Sequence, residues 1–137
     1  VMNLGKRYDV KVLIENVGLR TKNNVLFDLP EYVALFDIFP QAGALLDTGH
    51  AHVNGWDIPA VVKALGERLA ACHVHDNDGN GDAHLPVGQG DIDWKAYFGA
   101  VKKYVPQATQ VFEYCCGFNN TKDLEAHIAE LKEDYKL

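Results

Sequence analysis

Apolar residues fall along this chain in four short runs, and after each run they recur at every third or fourth position. Val10–Ile14 (VKVLI), Ala44–Leu46, Leu69–Val74 and Thr109–Phe112 (TQVF) are too short for helices and are bounded by turn residues, so each predicts a strand. The stretches after them predict helices. Leu29, Val33, Phe36 and Phe39 share one helical face, with Pro30 at an acceptable first-turn position. Ile58, Val61, Val62 and Leu65 share the next, with Asp57 as cap and Pro59 in the first turn. Trp94, Phe98, Val101 and Val105 form a third face, beginning near Asp93 and ending before Pro106. Leu124, Ile128, Leu131 and Tyr135 form the fourth, capped by Asn120 or Thr121.

Four strand-then-helix units in succession predict a parallel α/β fold, and the near-continuous apolar strands suit a sheet covered on both faces. No low-complexity linker divides the chain, so one domain is expected over residues 1–137. Each strand ends in a carboxylate or an imidazole: Glu15; Asp47 with His50; His73 and His75, with Asp82 and His84 close behind; and Glu113. In a parallel sheet those ends lie on one side, so residues distant in sequence converge there.

Composition narrows the chemistry. Of 137 residues, 47% are hydrophobic and the formal net charge is −6, which is ordinary for a globular domain and offers no basic surface to a nucleic acid. No apolar run approaches the length of a membrane span, and no signal segment precedes the first strand, so the expected compartment is the cytoplasm. The three cysteines, Cys72, Cys115 and Cys116, form neither a disulfide framework nor a CxxC zinc motif, and buried, reduced thiols are expected.

Mixed carboxylate and imidazole donors suit zinc, manganese, cobalt or iron. A single histidine or aspartate in a loop means little by itself, since such residues are common in turns. Four successive strands with the same ending point to one shared site. His127, between Leu124 and Ile128, is read as a surface residue, and His52 as a loop or supporting residue near His50.

The series LIENVG, LLDTGHAH, HVHDNDG with DAHLPVGQGDIDW, and VFEY resembles the carboxyl-terminal half of the xylose isomerase-like TIM barrel superfamily. That group includes sugar and sugar-phosphate isomerases and epimerases and the endonuclease IV type of apurinic endonuclease. The resemblance implies that Glu15, Asp47, His75 and Glu113 bind one divalent metal (Mn, Co, Mg or Zn). It also implies that Glu15 and Glu113 act as the catalytic acid and base, while His50 and His73 contact a sugar or sugar phosphate. The expected reaction is proton transfer through a metal-stabilised enediolate. In the nuclease branch His50, Asp82 and His84 are further zinc ligands, and all three are present.

A full barrel of this kind needs eight strands and about 250 residues. The opening VMNLGKRYDV reads as the tail of a helix that leads into a fifth strand. Half a (β/α)8 TIM barrel is therefore expected, completed by a homodimer or belonging to a longer chain, since open edges and an apolar interior are liabilities. Three functions remain open: sugar isomerase or epimerase, apurinic endonuclease, and a metal-binding half-barrel without activity. The acidic balance favours the first, and neither nucleic acid nor a membrane is an expected partner.

Overall fold

The computed structural model describes residues 1–136. Strands β1 (Leu13–Glu15), β2 (Gly43–Asp47), β3 (Leu69–Val74) and β4 (Thr109–Phe112) form one parallel sheet in the order β1-β2-β3-β4. The α/β class and the four consecutive units are as the hydrophobic pattern requires. The first strand is displaced, however. A helix, α1 (Met2–Tyr8), precedes it, Val10 is left 61% exposed, and the ladder begins only at Leu13 and runs to Glu15.

The remaining helices are α2 (Leu29–Ile38), α3 (Thr48–Val53), α4 (Ile58–Leu65), α5 (Trp94–Tyr104) and α6 (Thr121–Tyr135). Side chains close their amino ends as expected: Asp57 accepts from the Ala60 N–H, Asp93 from Ala96, and Asn120 from Lys122 and Asp123. Asp28 and Glu31 form a reciprocal capping box on α2. On that helix the buried face is Tyr32 and Phe36; Leu29 and Val33 are only partly packed and Phe39 is 38% exposed. The Tyr32 hydroxyl accounts for the difference, because it lies 3.0 Å from the Ile14 carbonyl and 2.7 Å from that of Leu45, which fixes the helix against both strands.

The core lies between the sheet and the helices. Ala44, Leu46, Cys72 and Val74 are fully buried there against Phe36, Val62, Tyr97 and Phe98. The opposite face is less covered, contrary to the expectation of cover on both: β1 and β4 contain no buried position, and Val111 is 42% exposed. Among the described residues each of these strands is paired on one side only. No described helix is long and apolar enough to cross a membrane.

Two local devices position the strand-end residues and the loop beyond β3. The β2–β3 register slips so that Ala44 faces Leu69 while Leu45 faces Ala71, and this brings His73 directly opposite Asp47. After β3, the long loop to α5 is gathered on Asp76, which is fully buried. Its carboxylate accepts from the Asn77, Gly88 and Ile92 N–H groups and from the Trp94 indole N–H, at 2.7–3.2 Å. Its backbone pairs both ways with Leu85. Four donors satisfy the charge, and the loop carrying Asp82 and His84 is thereby anchored.

Candidate metal centre

The carboxyl ends of the strands are held together by side chains that continue the ladder after the backbone ladder stops. Asn16 accepts from the Asp47 N–H (2.7 Å) and donates to the Asp47 carbonyl (3.0 Å), as a strand residue would. Its own carbonyl meets His50 Nδ1 at 3.2 Å. Thr48 plays the same part between β2 and β3: its hydroxyl lies 3.1 Å from both the His73 and His75 carbonyls and accepts from the His75 N–H.

Within that frame Glu15, Asp47, His73 and Glu113 converge. His73 Nδ1 lies 3.3 Å from Glu15, 3.4 Å from Glu113 and 3.7 Å from Asp47. His75 is fully buried, with Nε2 3.1 Å from Asp47 and its ring stacked on that of His84, centroids 3.8 Å apart. His50 and His84 both aim Nε2 at the same oxygen of Asp82, at 3.3 and 3.2 Å. All eight residues singled out in the sequence thus meet on one side of the sheet.

Their subdivision differs from the expected quartet of Glu15, Asp47, His75 and Glu113. Two groups have donor atoms that all lie within 4.8 Å of one another: Glu15, Asp47 and His73; and His75, His84 and Glu113. The quartet is divided between them, and His73, expected to contact substrate, stands in the first group. A divalent cation suits the donor set, since hard oxygens and borderline imidazoles are its usual partners. A second observation agrees: His75 Nδ1 and Asp82 Oδ1, 3.9 Å apart, are buried and lack a hydrogen-bond partner among the described residues. Buried polar atoms are seldom left so.

Electrostatics separate two of these groups. Burial works to raise the Asp47 pKa, but the His75 hydrogen bond and the neighbouring imidazoles outweigh it, so the net shift is downward. For His84 burial works downward, while the Glu113 carbonyl and the Asp82 and Glu113 carboxylates outweigh it, so the net shift is upward.

Three expectations are refined or corrected. His52 does not reach the cluster; it pairs with Asn77 at 2.7 Å, and Asn77 in turn donates to the Gly49 carbonyl. His127 is a half-buried surface residue whose ring packs on Tyr114 and Phe118, with Nε2 3.4 Å from the Tyr114 hydroxyl. Only Cys72 is buried; Cys115 and Cys116 are exposed, since they follow β4 into the loop at its open end. Asn16, Thr48 and Asp76 support the site although the hydrophobic pattern does not mark them. Their only sequence signal is position, immediately after a strand-end ligand candidate.

Comparison with known proteins agrees with this fold. The profile described as xylose isomerase-like TIM barrel matches residues 1–133. An uncharacterized protein of Methanocaldococcus jannaschii is 30% identical over 104 residues, covering 74% of this chain and 38% of that protein. One of Sinorhizobium fredii is 32% identical over 95 residues, covering 68% and 30%. Among solved structures, a D-tagatose 3-epimerase-like protein superposes with a TM-score of 0.74 at 25% identity, over 98% of this chain and 49% of its own. D-allulose 3-epimerase from Methylomonas sp. superposes with a TM-score of 0.77 at 18% identity, over 98% and 51%. The chain spans about a third of the length of these curated relatives and about half of these solved structures.

Gly49 offers a test of how the cluster is held. A Cβ there would lie 2.0 Å from His75 Cε1 and 2.5 Å from Nδ1, so the imidazole rests on the bare glycine. Gly49→Ala is expected to push the ring away and weaken manganese binding by about tenfold or more, in the range found for disturbed supporting contacts of metal ligands. Titration of the variant with Mn²⁺, beside its thermal unfolding curve, checks this. Unchanged affinity in a folded variant would show that His75 is not held by this contact.

Proposed function

The chain belongs to the xylose isomerase-like TIM barrel family, and on that premise we propose that its strand-end cluster is the reaction centre of a metal-dependent sugar isomerase or epimerase. The observation that carries the reading is the placement of Glu15 and Glu113. They come from the two edge strands, yet both reach the same nitrogen of His73. Two carboxylates approaching one point from opposite sides are what removal and return of a proton require.

Glu15, Asp47, His75 and Glu113 would hold the cation, with His75 preferred to the partly exposed His73 because it is fully buried with Nε2 3.1 Å from Asp47. Bound there, a divalent ion supplies Lewis acidity that makes the C–H beside a substrate carbonyl more acidic. One glutamate takes that proton and the other delivers a proton to the product carbon or to the opposite face of the same carbon. His50, fixed through Nδ1 on the Asn16 carbonyl, and His73, partly exposed between the carboxylates, are placed to orient substrate hydroxyls. Asp47, held charged by His75, preserves the negative field that retains the cation. A sugar or sugar phosphate is the substrate class, and ketohexoses such as D-tagatose and D-allulose, named for the structural neighbours, head the assay panel.

A second reading rests on a different observation, the convergence of His50 and His84 on Asp82. A further zinc there would make the site that of an endonuclease IV-type apurinic endonuclease. The net charge of −6 opposes it. A metal-binding half-barrel without activity is the reading left if neither reaction is found. The paired-on-one-side strands β1 and β4 would be covered by a second copy of the chain or by the preceding half of a longer one.

Three measurements decide among these. In the assembled protein Glu113→Gln is expected to reduce sugar interconversion, and exchange of the substrate C–H with D₂O, by about 10²- to 10⁴-fold; retained turnover removes Glu113 from the acid/base role. Metal analysis is expected to give one manganese, cobalt or magnesium per chain, whereas two or three zincs would favour the nuclease. Light scattering of the isolated chain is expected to give a dimer, and a stable, folded monomer would contradict the need for a second half.

A further inference from the structure

Cys115 and Cys116 are adjacent in sequence, exposed, and two and three residues beyond Glu113. Cysteine is ordinarily among the most buried residues, as Cys72 is here, so an exposed pair is unusual. Both line a cleft of about 480 Å³ between the β4 loop and α6, with Phe112, Phe118, Leu124 and Ile128 as its apolar walls. We propose that Cys115 and Cys116 form a dithiol site that chelates one soft, thiophilic metal or metalloid ion, and that chelation loosens the segment carrying Asp82 and His84.

The choice of ligand is set by the donors. Two thiols on consecutive residues close a small ring around one soft centre, whereas the hard oxygens and imidazoles of the strand-end cluster prefer harder cations. Contact with the Cys115 thiol raises the Cys116 pKa, so Cys116 holds its proton rather than presenting the thiolate that attacks peroxides or disulfides. A trivalent arsenical suits neutral thiols. In an aryl dihydroxyarsine each As–OH bond is exchanged for an As–S bond, each thiol proton leaves with the displaced hydroxide as water, and arsenic is neither oxidised nor reduced. The apolar walls provide for the aryl group.

The coupling depends on a proton. Cys115 Sγ donates to the Ala83 carbonyl at 3.2 Å, and the Cys115 N–H donates to the His84 carbonyl at 3.1 Å. A chelated sulfur has no proton to donate, so the bond to Ala83 is lost and a sulfur lone pair faces the carbonyl. Ala83 lies between Asp82 and His84, whose side chains meet at 3.2 Å. A ligand bound outside the strand-end cluster thereby acts on two of its residues.

Phenylarsine oxide is the probe. Mass spectrometry of the intact protein is expected to show one adduct that survives excess 2-mercaptoethanol and is removed by 2,3-dimercaptopropanol. Cys115→Ser and Cys116→Ser should each lose the monothiol-resistant adduct. If the wild-type adduct is stripped by monothiol as readily as that of either variant, or if a single-serine variant keeps a resistant adduct, the two thiols do not act as a pair. Hydrogen exchange tests the coupling without requiring any bound cation or turnover. Peptides spanning residues 82–86 are expected to exchange about tenfold faster in the adduct than in the free protein, as local opening becomes easier; unchanged exchange overturns the coupling.

Discussion

Everything at the open side of the sheet depends on keeping the Asp47 carboxylate charged while it is almost wholly buried. At 1% exposure it has little water to solvate it, and an uncompensated ion in that position would be strongly destabilising. Its two oxygens are instead met by the His50 N–H at 2.7 Å and by His75 Nε2 at 3.1 Å. The first bond makes Asp47 the cap of α3 as well as the last residue of β2. The turn from strand to helix, the position of His50 and the orientation of His75 are therefore fixed by one side chain. The downward shift of its pKa shows that these partners overcome the cost of burial.

That dependence explains the small residues around it. His75 can reach Asp47 only by lying over Gly49, where no side chain fits, and Asn16 and Thr48 supply the hydrogen bonds that the strand ends lose once the backbone ladder stops. The register slip at Ala44 and Leu45 serves the same end from the core side. Without it, His73 would take the alternate phase of the pleat and face the helices. Packing and chemistry are thus constrained together: the residues that cap, bridge and leave space are neighbours in sequence of those that carry donor atoms.

This arrangement also determines what is legible in the sequence. The caps Asp57, Asp93 and Asn120 and the strands Leu69–Val74 and Thr109–Phe112 are legible because their signals are local, lying within a turn or a short apolar run. Helix α3 is not, since TGHAHV is six residues long and has no apolar stripe; it exists because Asp47 caps it and His50 and His52 find partners. Asp76 is hidden for the opposite reason. It sits among similar residues in a loop rich in aspartate and glycine, and only the folded loop delivers four donors to it alone. The convergence of the eight candidate residues is a consequence of parallel topology, but their division into two groups rests on side-chain directions that a spacing does not encode.

The four strands also separate two requirements of the proposed chemistry, convergence and enclosure, that a closed barrel would meet together. Neighbouring strands stand about 4.8 Å apart, so four of them suffice to bring a carboxylate from each edge to a common point. Enclosure is a different matter. Glu113 retains 48% of its side-chain exposure and Glu15 26%, whereas Asp47 and His75, in the middle of the sheet, are sealed. The central pair is already in a medium that strengthens charge–dipole interactions, while the two proton-transferring candidates still face water, which weakens such interactions and competes for the proton. A covering layer over the edge strands would act chiefly on Glu15 and Glu113, and the residues that hold the site's charge would be little changed by it.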